Sequence, residues 1–247
     1  MRDIIFNDNK INLDSGYFFG RGVFETILIK DKPIFLNEHI SRLNEGIKIL
    51  NIGEKVNQED ILKIINKYDI KYCGLKIVVT ERNIVLEKRD IPYKAEDYLK
   101  GFALKISNLN RSSKSKISYI KSINYLENIL EREEALKNGY NEVLFLNENG
   151  YLSEGSMSNI FIVKGEKVYT PSIKCGLLPG IVRNFLIREY KIIEKELTIE
   201  DVMMADEIFI TNSLLGIMGI SKFENKILTE NKTTTMLRKE YEARIEI

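Results

Sequence analysis

The sequence contains a single histidine, His39, and only two cysteines, Cys73 and Cys175. One histidine excludes a His-rich zinc site, and the three residues lack the spacing of four-ligand zinc coordination. A Ser-His-Asp triad would have to use His39, which lies in a predicted helix, and no G-x-S-x-G turn is present. The cysteines form no C-x-x-C pair, so we expect a reduced, cytoplasmic protein without a metal site.

Long apolar runs and an excess of either charge are also absent. No stretch of about 18 apolar residues occurs, so we expect no membrane-spanning helix. The N-terminal MRDIIFNDNKINLD contains acidic and amide residues, which argues against a signal peptide. The 37 basic and 36 acidic residues give a formal charge of +1, which predicts no nucleic-acid or membrane partner. Without P-loop or G-x-G-x-x-G motifs, enzyme chemistry would depend on a lysine, on carboxylates or on a bound cofactor.

The first half alternates helical and strand patterns, which predicts an α+β fold with mixed, mostly antiparallel sheets. YFFGRGVFETILIKDKPIFL predicts two strands around a turn at residues 31–33. A helix follows, with Asn37 as its N-cap. Further elements are predicted in chain order: a helix in NQEDILKIINKY, a strand in GLKIVVTE and a strand in GFALKIS.

A serine-rich segment with little apolar content separates the two halves. It predicts an interdomain linker at residues 108–117, between a smaller N-terminal α/β domain at 1–107 and a larger domain at 118–247. A long surface loop within one domain is the alternative.

The second half begins with a predicted helix after Lys121, whose apolar stripe is Ile123, Leu126 and Leu130 and whose end is at Gly139. The remaining predicted elements follow in order: strands joined by tight turns in 141–171, a helix after 179–180, a helix capped by Thr198, a buried strand in DEIFITNSLLGIMGI with a turn around 212–213, and an amphipathic C-terminal helix.

Two residues have settings that suggest chemistry. Lys121 stands before the predicted helix, where the dipole opposes a positive charge, so its amine could be held neutral or bound as an imine; a surface lysine is the alternative. Glu154 is flanked by Ser153, Gly155 and Ser156, whose small size lets another group approach closely; a solvated turn carboxylate is the alternative.

Anion-binding positions are also present. The predicted helix at Ile181 and Val182 offers free backbone N–H groups and the positive end of a dipole. The turn at Ser213 offers a hydroxyl and further N–H groups, and Arg42 is a candidate arginine for a phosphate. For Arg42 the alternative is a surface pair with Glu38. For the helix start and the turn, the alternative is that their N–H groups are capped or hydrated.

Several stretches together resemble a known family. FGRGVFETI, EHISRL, IKSINYLENIL, LSEGSMSN, GLLPGIVRNFL and ADEIFITNSLLGIMGI, in this order, are similar to the class IV (fold-type IV) pyridoxal-phosphate enzymes. The family contains branched-chain aminotransferases, D-amino-acid transaminases and 4-amino-4-deoxychorismate lyases. The resemblance implies a two-domain, D-amino-acid aminotransferase-like fold with the active site between the domains. It also implies pyridoxal 5'-phosphate as cofactor, a small-molecule substrate and a homodimer.

The resemblance implies roles for individual positions. Lys121, in K-x-x-N, matches the lysine that forms the Schiff base with the cofactor and then moves protons. Glu154, in S-E-G-x-x-x-N, matches the carboxylate that pairs with the pyridine nitrogen. Arg42, in H-x-x-R-L, matches the arginine on the cofactor phosphate. Ile181 and Val182, in L-P-G-I-x-R, match the helix-start amides on that phosphate; many relatives have threonine in place of Val182.

Three further positions complete the expected site. Ser213 matches a hydroxyl of the last phosphate turn, and Tyr125 matches the tyrosine that touches the ring hydroxyl in branched-chain enzymes. Phe24 stands where the D-amino-acid enzymes have a tyrosine, and their Arg-x-His pair is absent.

The stretches VFETI and TNSLLGIMGI are most similar to the lyases of the family. The resemblance therefore implies a lyase that converts 4-amino-4-deoxychorismate to 4-aminobenzoate and pyruvate in folate synthesis. The alternative is a class IV aminotransferase acting on branched-chain or D-amino acids. The chain lacks the glycine-rich segment that is usual after the LKIVV strand and has Arg21 where G-D-G is usual. Arg21, Arg82 and Arg89 are candidates for the substrate carboxylates, with a surface position as the alternative for each.

Overall fold

A computed structural model describes residues 2–8 and 10–246 of the chain. Two short 3-10 helices accompany the helices and strands named below. The strands are β1 Asp3–Phe6, β2 Val23–Ile29, β3 Cys73–Val79, β4 Asn83–Arg89, β5 Phe102–Arg111, β6 Glu142–Asn147, β7 Leu152–Gly155, β8 Asn159–Lys164, β9 Lys167–Pro171, β10 Ile193–Lys195, β11 Glu207–Asn212, β12 Gly216–Phe223 and β13 Lys226–Ile227. The helices are α1 Ser15–Phe19, α2 Leu36–Leu50, α3 Gln58–Lys67, α4 Ala95–Lys100, α5 Leu126–Lys137, α6 Ile181–Glu189, α7 Ile199–Met203 and α8 Lys232–Glu246. Among the described helices, none is long and apolar enough to cross a membrane.

The first compact unit comprises Met1–Pro92 and Ile120–Tyr125. Its sheet has the order β1-β4-β3-β2, with β1 parallel to β4 and the other neighbours antiparallel. Apolar side chains of β2, β3 and β4 form one core with those of α2 and α3, because alternate strand residues point to the same face of a sheet. The other face of this sheet carries Phe24 and Lys76.

The second compact unit comprises Tyr93–Tyr119 and Leu126–Ile247. Its sheet of nine strands has the order β10-β9-β8-β11-β12-β5-β6-β7, with β13 beside β12. β12 pairs with both β11 and β5, so this one strand connects the two parts of the sheet. The main core cluster combines apolar residues of the central strands with Val202 of α7.

The compact units do not coincide with the predicted domain boundaries at 107 and 118. Residues 108–111, predicted as part of a linker, continue β5, where Asn110 and Arg111 pair with β6. The rest of the predicted linker lies in the second unit, where Ser113 binds Glu148 through its backbone N–H at 2.8 Å and its hydroxyl at 2.6 Å. Residues 108–117 are therefore tied to this unit by main-chain and side-chain hydrogen bonds.

Helix α2 begins earlier than predicted. Its N-cap is Phe35, in the left-handed region at φ 53°, so the predicted cap Asn37 lies inside the helix. The predicted strand after the turn at 31–33 does not form, and only an isolated bridge joins Ile29 to Pro33. Proline lacks the N–H that a strand ladder needs, so the chain turns directly into the helix.

Helix α5 confirms the predicted helix but contradicts its predicted apolar stripe. It begins at Leu126, so Ile123 lies outside it. Leu126 and Leu130 are 66% and 53% exposed. The buried helix residues are Asn128 and Ala135, and the Asn128 side chain donates to the Ser156 carbonyl at 2.6 Å. A polar contact therefore orients this helix.

The remaining helix predictions are confirmed by α3, α6, α7 and α8, including the Thr198 cap, whose hydroxyl accepts from the Asp201 N–H. The apolar stretch after Asp206 forms two antiparallel strands, β11 and β12, around the predicted turn. The elements β1, α1, β4, α4, β10 and β13 were not predicted, and residues 17–19, placed in the first predicted strand, lie in α1. The β4 sequence NIVLEKR ends in charged residues, which hid its strand pattern.

Candidate active site

Lys121 lies in a short extended segment that is held against the start of β2. The Phe24 N–H donates to the Lys121 carbonyl at 2.8 Å, and the Ile123 N–H donates to the Gly22 carbonyl at 3.0 Å. An antiparallel bridge joins Ser122 to β2. The helix begins five residues later, so the predicted effect of a helix dipole on this lysine does not apply. Its backbone is positioned by strand pairing.

The Lys121 amine lies against two aromatic rings. Nζ lies 4.4 Å from the Phe24 ring centroid and 5.2 Å from that of Tyr125. The two rings meet edge to face with centroids 5.1 Å apart and an interplanar angle of 90°. The two rings therefore pack against each other, and both contact the amine.

Lys76 is a functional candidate that the sequence analysis missed. Its Nζ lies 5.0 Å from the Phe24 centroid, on a strand that is otherwise mostly apolar. Burial lowers the pKa of Lys76, and the charge of Arg89 lowers it further while Glu87 opposes the change. A lysine inside an apolar strand was the available signal, because an unpaired charge is costly in such a position.

Arg42 forms a buried ion pair with Glu25. Arg42 was predicted as a site residue, whereas Glu25 was not. Arg42 Nε donates to Oε1 at 2.7 Å and its terminal nitrogen to Oε2 at 2.8 Å, while His39 Nδ1 lies 2.7 Å from Oε2. Glu25 is fully buried. Burial raises the pKa of Glu25, but the charges and hydrogen bonds of Arg42 and His39 outweigh it and lower the pKa to about 2. The carboxylate therefore orients the candidate phosphate-binding arginine.

Glu154 connects two of the sequence motifs. Its Oε2 accepts a hydrogen bond from the Leu178 N–H at 3.0 Å, and its Oε1 lies 3.9 Å from Arg111 Nε. The Asn159 side chain donates to the Leu178 carbonyl at 2.9 Å. The S-E-G-x-x-x-N and L-P-G-I motifs are thus joined by hydrogen bonds on both sides of Leu178, and the carboxylate is only 12% exposed.

The start of α6 carries the predicted backbone donors. Its N-cap is Gly180, which has extended dihedrals and supplies no side-chain cap, so no side chain caps the Ile181 and Val182 amides from this position. A Cβ on Gly180 would collide with the Asn159 side-chain oxygen. This close approach therefore requires glycine at position 180. Because glycine has no side chain to cap the helix, the positive end of the helix dipole can attract an anion.

The turn with Ser213 is adjacent in the sheet, because Thr211 of β11 pairs with Asn159 of β8. The Asn212 side-chain oxygen accepts hydrogen bonds from the Leu214 and Leu215 N–H groups, both at 2.9 Å. The turn was expected to offer free N–H groups, and these two are used within the turn itself. The Ser213 hydroxyl stays a predicted contact.

Glu142 orders the loop that follows Glu154. The Glu142 carboxylate is buried and accepts hydrogen bonds from the N–H and hydroxyl of Ser156, from the Met157 N–H and from the Ser158 hydroxyl. Neutral donors of one loop thus stabilise a buried charge. A glutamate at the start of the apolar NEVLFL strand was the signal in the sequence.

The three candidate arginines for substrate have different settings. Arg21 Nε and one terminal nitrogen donate to the Leu50 carbonyl at 3.1 and 2.9 Å, so Arg21 holds the end of α2. Arg89 pairs with Glu87 at 2.7 Å, with both side chains about half exposed. Arg82 is exposed in the turn before β4, where its N–H donates to Asp14 at 2.9 Å.

The candidate residues therefore form two groups, one in each compact unit. In the first unit Lys121, Phe24 and Tyr125 are in contact, while Arg42 is held by Glu25. In the second unit, hydrogen bonds and strand pairing bring together three sets of residues: Glu154 with the start of α6, the Asn159 side chain, and the turn with Ser213.

Comparison with known proteins gives consistent matches. A family model described as amino-transferase class IV matches residues 22–223. The chain is 32% identical to an aminodeoxychorismate lyase of Bacillus subtilis, over 85% of this chain and 80% of that protein. It is 26% identical to a branched-chain-amino-acid aminotransferase of Pseudomonas aeruginosa, over 90% of this chain and 83% of that protein.

A solved structure shares the fold. The 4-amino-4-deoxychorismate lyase of Pseudomonas aeruginosa superposes with a TM-score of 0.86. The match covers 97% of this chain and 97% of that chain, at 20% identity.

Proposed function

The chain belongs to the class IV aminotransferase family, and we propose that it is a pyridoxal-phosphate-dependent lyase that converts 4-amino-4-deoxychorismate to 4-aminobenzoate and pyruvate. The observation that carries the proposal is the position of Lys121, whose amine lies against two aromatic rings on a segment paired with β2. The 32% identity to the Bacillus subtilis lyase supports this substrate.

The residues present fit pyridoxal phosphate. Lys121 would hold the aldehyde carbon, and Tyr125 would lie against the ring. Glu154 would pair with the pyridine nitrogen, since it is a nearly buried carboxylate with a cation beside it. The start of α6, which lacks a side-chain cap, and the Ser213 hydroxyl are suited to the phosphate, and Arg42 supplies its positive charge.

The bound cofactor would supply an electron sink for the carbon that carries the substrate amine. Lys121 Nζ would take the proton from the substrate ring as a general base and would return a proton to the departing three-carbon fragment. The products 4-aminobenzoate and pyruvate together contain all the atoms of the substrate, so the reaction needs no oxidant and no water. The Phe24 and Tyr125 rings would cover one side of the amine while it holds the proton.

The substrate carries two carboxylates, and the chain offers Lys76 for one of them. Lys76 lies on the same aromatic ring as Lys121, and burial lowers its pKa. We propose Lys76 in place of Arg21, whose guanidinium is used at the end of α2. Phe24 contributes the apolar wall, and Arg82 stays a proposed contact.

An aminotransferase acting on branched-chain or D-amino acids is the second candidate, because the Pseudomonas aeruginosa relative of that class is matched over most of its length. Both candidates use Lys121 and the same cofactor. They differ in whether the amino group stays on the product or is left on the cofactor.

Product analysis separates the two candidates. Purified chain loaded with pyridoxal phosphate is incubated with 4-amino-4-deoxychorismate, and we expect equal amounts of 4-aminobenzoate and pyruvate. Lys121→Ala should abolish both products and the absorption band of cofactor that is covalently joined to the Lys121 amine. If branched-chain or D-amino acids convert the cofactor to its amine form while no 4-aminobenzoate appears, the lyase assignment is wrong and the aminotransferase assignment holds.

We also propose that the chain acts in the cytoplasm as a homodimer. Helix α1 carries Tyr17, Phe18 and Phe19, which are 64%, 61% and 80% exposed. Adjacent exposed aromatic side chains are typical of surfaces that another chain covers. Light scattering should give twice the mass of the chain, and Phe18→Ser with Phe19→Ser should shift it towards the monomer.

A further inference from the structure

Arg111, the last residue of β5, places a guanidinium beside Glu154. Arg111 Nε lies 3.9 Å from Glu154 Oε1, and the two side chains are 14% and 12% exposed. This is the distance of an ion pair and exceeds that of a hydrogen bond. The other carboxylate oxygen accepts the Leu178 N–H at 3.0 Å. Each oxygen of Glu154 therefore has its own positive or donating neighbour.

The Arg111 side chain is held in this position by an aromatic ring. Its Cζ lies 4.1 Å from the centroid of Phe145, a residue of β6 that is 1% exposed. Stacking of a planar guanidinium on a ring restricts its rotamers. In the described part of the chain, Arg111 Nε is buried without a hydrogen-bond acceptor, which is costly unless a nearby charge compensates. Glu154 provides that charge.

Arg183 is a second cation close enough to interact electrostatically with Glu154. Its hydrogen bonds, however, are made with other residues. It is 1% exposed, and its terminal nitrogen donates to the Pro171 carbonyl at 2.8 Å and lies 3.3 Å from Glu194. Burial lowers the pKa of Arg183, while Glu194 acts in the opposite direction. Its hydrogen bonds therefore serve the packing of α6, whereas Arg111 faces the carboxylate directly.

We propose that Arg111 is a positioning residue that keeps Glu154 charged and oriented for the pyridine nitrogen of pyridoxal phosphate. A cation at this distance stabilises the charged form of a carboxylate, and only the charged form pairs with a protonated pyridine nitrogen. The inference rests on the proposed cofactor of the chain, and no catalytic step is assigned to Arg111.

Titration of the cofactor-free chain with pyridoxal phosphate tests this role by absorbance. We expect Arg111→Met to weaken binding about ten-fold and Arg111→Lys to recover most of the loss, because lysine restores the charge. Arg188→Met, at an arginine that is 58% exposed on α6, is the matched control and should bind as the wild type does. Binding by Arg111→Met within about two-fold of the wild type would overturn the inference.

A double-mutant cycle with Glu154→Gln shows whether Arg111 acts through the carboxylate. In the Glu154→Gln background, Arg111→Met should cost no further affinity. Additive losses would mean that Arg111 acts independently of Glu154 and would overturn the inference. If Arg111→Met does not fold, as judged by far-ultraviolet circular dichroism, Arg111→Gln replaces it in the cycle. Failure of the wild-type chain to bind the cofactor would instead overturn the proposed function.

Discussion

Replacing Glu25 by glutamine should destabilise the protein in a way that depends strongly on pH. The change removes the carboxylate charge that pairs with Arg42, whose side chain is 11% exposed. The pKa of Glu25 is lowered from 4.5 to about 2. A lowering of this size corresponds to about 3 kcal/mol of unfolding free energy at neutral pH. Removing one partner of a buried ion pair generally costs about 3–5 kcal/mol, and the value obtained from the pKa lies in this range.

The sign of the pH dependence follows from the lowered pKa. A carboxylate with a lowered folded-state pKa contributes stability that is complete above its unfolded value of 4.5 and is lost as the pH falls towards 2. The difference between wild type and Glu25→Gln should therefore be about 3 kcal/mol at pH 7 and fall below half of that by about pH 3.

Urea unfolding of the cofactor-free chain measures this difference. Since the sequence contains no tryptophan, far-ultraviolet circular dichroism is the suitable signal. With a slope of about 2 kcal/mol/M, the transition of the variant should shift by about 1.5 M at pH 7. Glu45→Gln, an exposed glutamate on α2, is the control. Equal midpoints for the two variants, or a difference that stays constant down to pH 3, would refute the reasoning.

Three further substitutions are informative. Lys76→Met should raise KM for 4-amino-4-deoxychorismate about ten-fold with little change in kcat, while Lys88→Met, exposed on β4, should change neither; an unchanged KM would remove Lys76 from the substrate site. Gly216→Ala should cost about 1–2 kcal/mol in thermal unfolding, because φ is +63° and a Cβ would lie 2.9 Å from Tyr241 Cε1; an unchanged midpoint would contradict this. Glu142→Gln should lower the midpoint of a circular dichroism melt, since its amide would face N–H and hydroxyl donors of the loop; equal melting would mean that the loop needs no carboxylate.

The elements that could be predicted from the sequence are those whose signals are local. Helix α7 has its cap and its acidic N3 residue within four positions, and the predicted Thr198 cap is confirmed as part of a capping box. Helix α3 has its Asn57 cap beside a strongly periodic face. The turn after β11 was located by Asn212 and Ser213, and the Asn212 side chain accepts hydrogen bonds from N–H groups two and three positions further along the chain.

The parts that could not be predicted depend on contacts between distant residues. In the sequence, Glu25 cannot be told from a surface glutamate. Its buried ion pair forms only because α2 brings Arg42 and His39 to its carboxylate. The burial of Glu142 is explained by hydrogen bonds from Ser156 and its neighbours, which lie more than ten positions away in the sequence. The buried face of helix α5 was predicted wrongly for the same reason. Periodicity predicts a buried apolar stripe, but it cannot predict a contact such as that of Asn128 with a distant loop.

The residues of the candidate site also differ in whether a local sequence pattern or a distant contact reveals them. The motifs identified Lys121, Glu154 and Arg42 because each belongs to a spaced pattern of residues. Lys76 has no such pattern, and only the pairing of β2 with β3 brings its amine to the Phe24 ring. Arg111 likewise depends on the pairing of β5 with β6, which places it over Phe145.

The segment Ile120–Tyr125 has a consequence for attempts to divide the protein. It belongs to the first compact unit, although more than one hundred residues precede it and the second unit continues on both sides of it. A fragment ending at Pro92 would therefore lack the stretch that pairs with the start of β2, and a fragment starting at Tyr93 would carry that stretch without its partner. No single cleavage separates the two units intact, so a recombinant version of the first unit would need residues 120–125 joined back to it through an artificial connection.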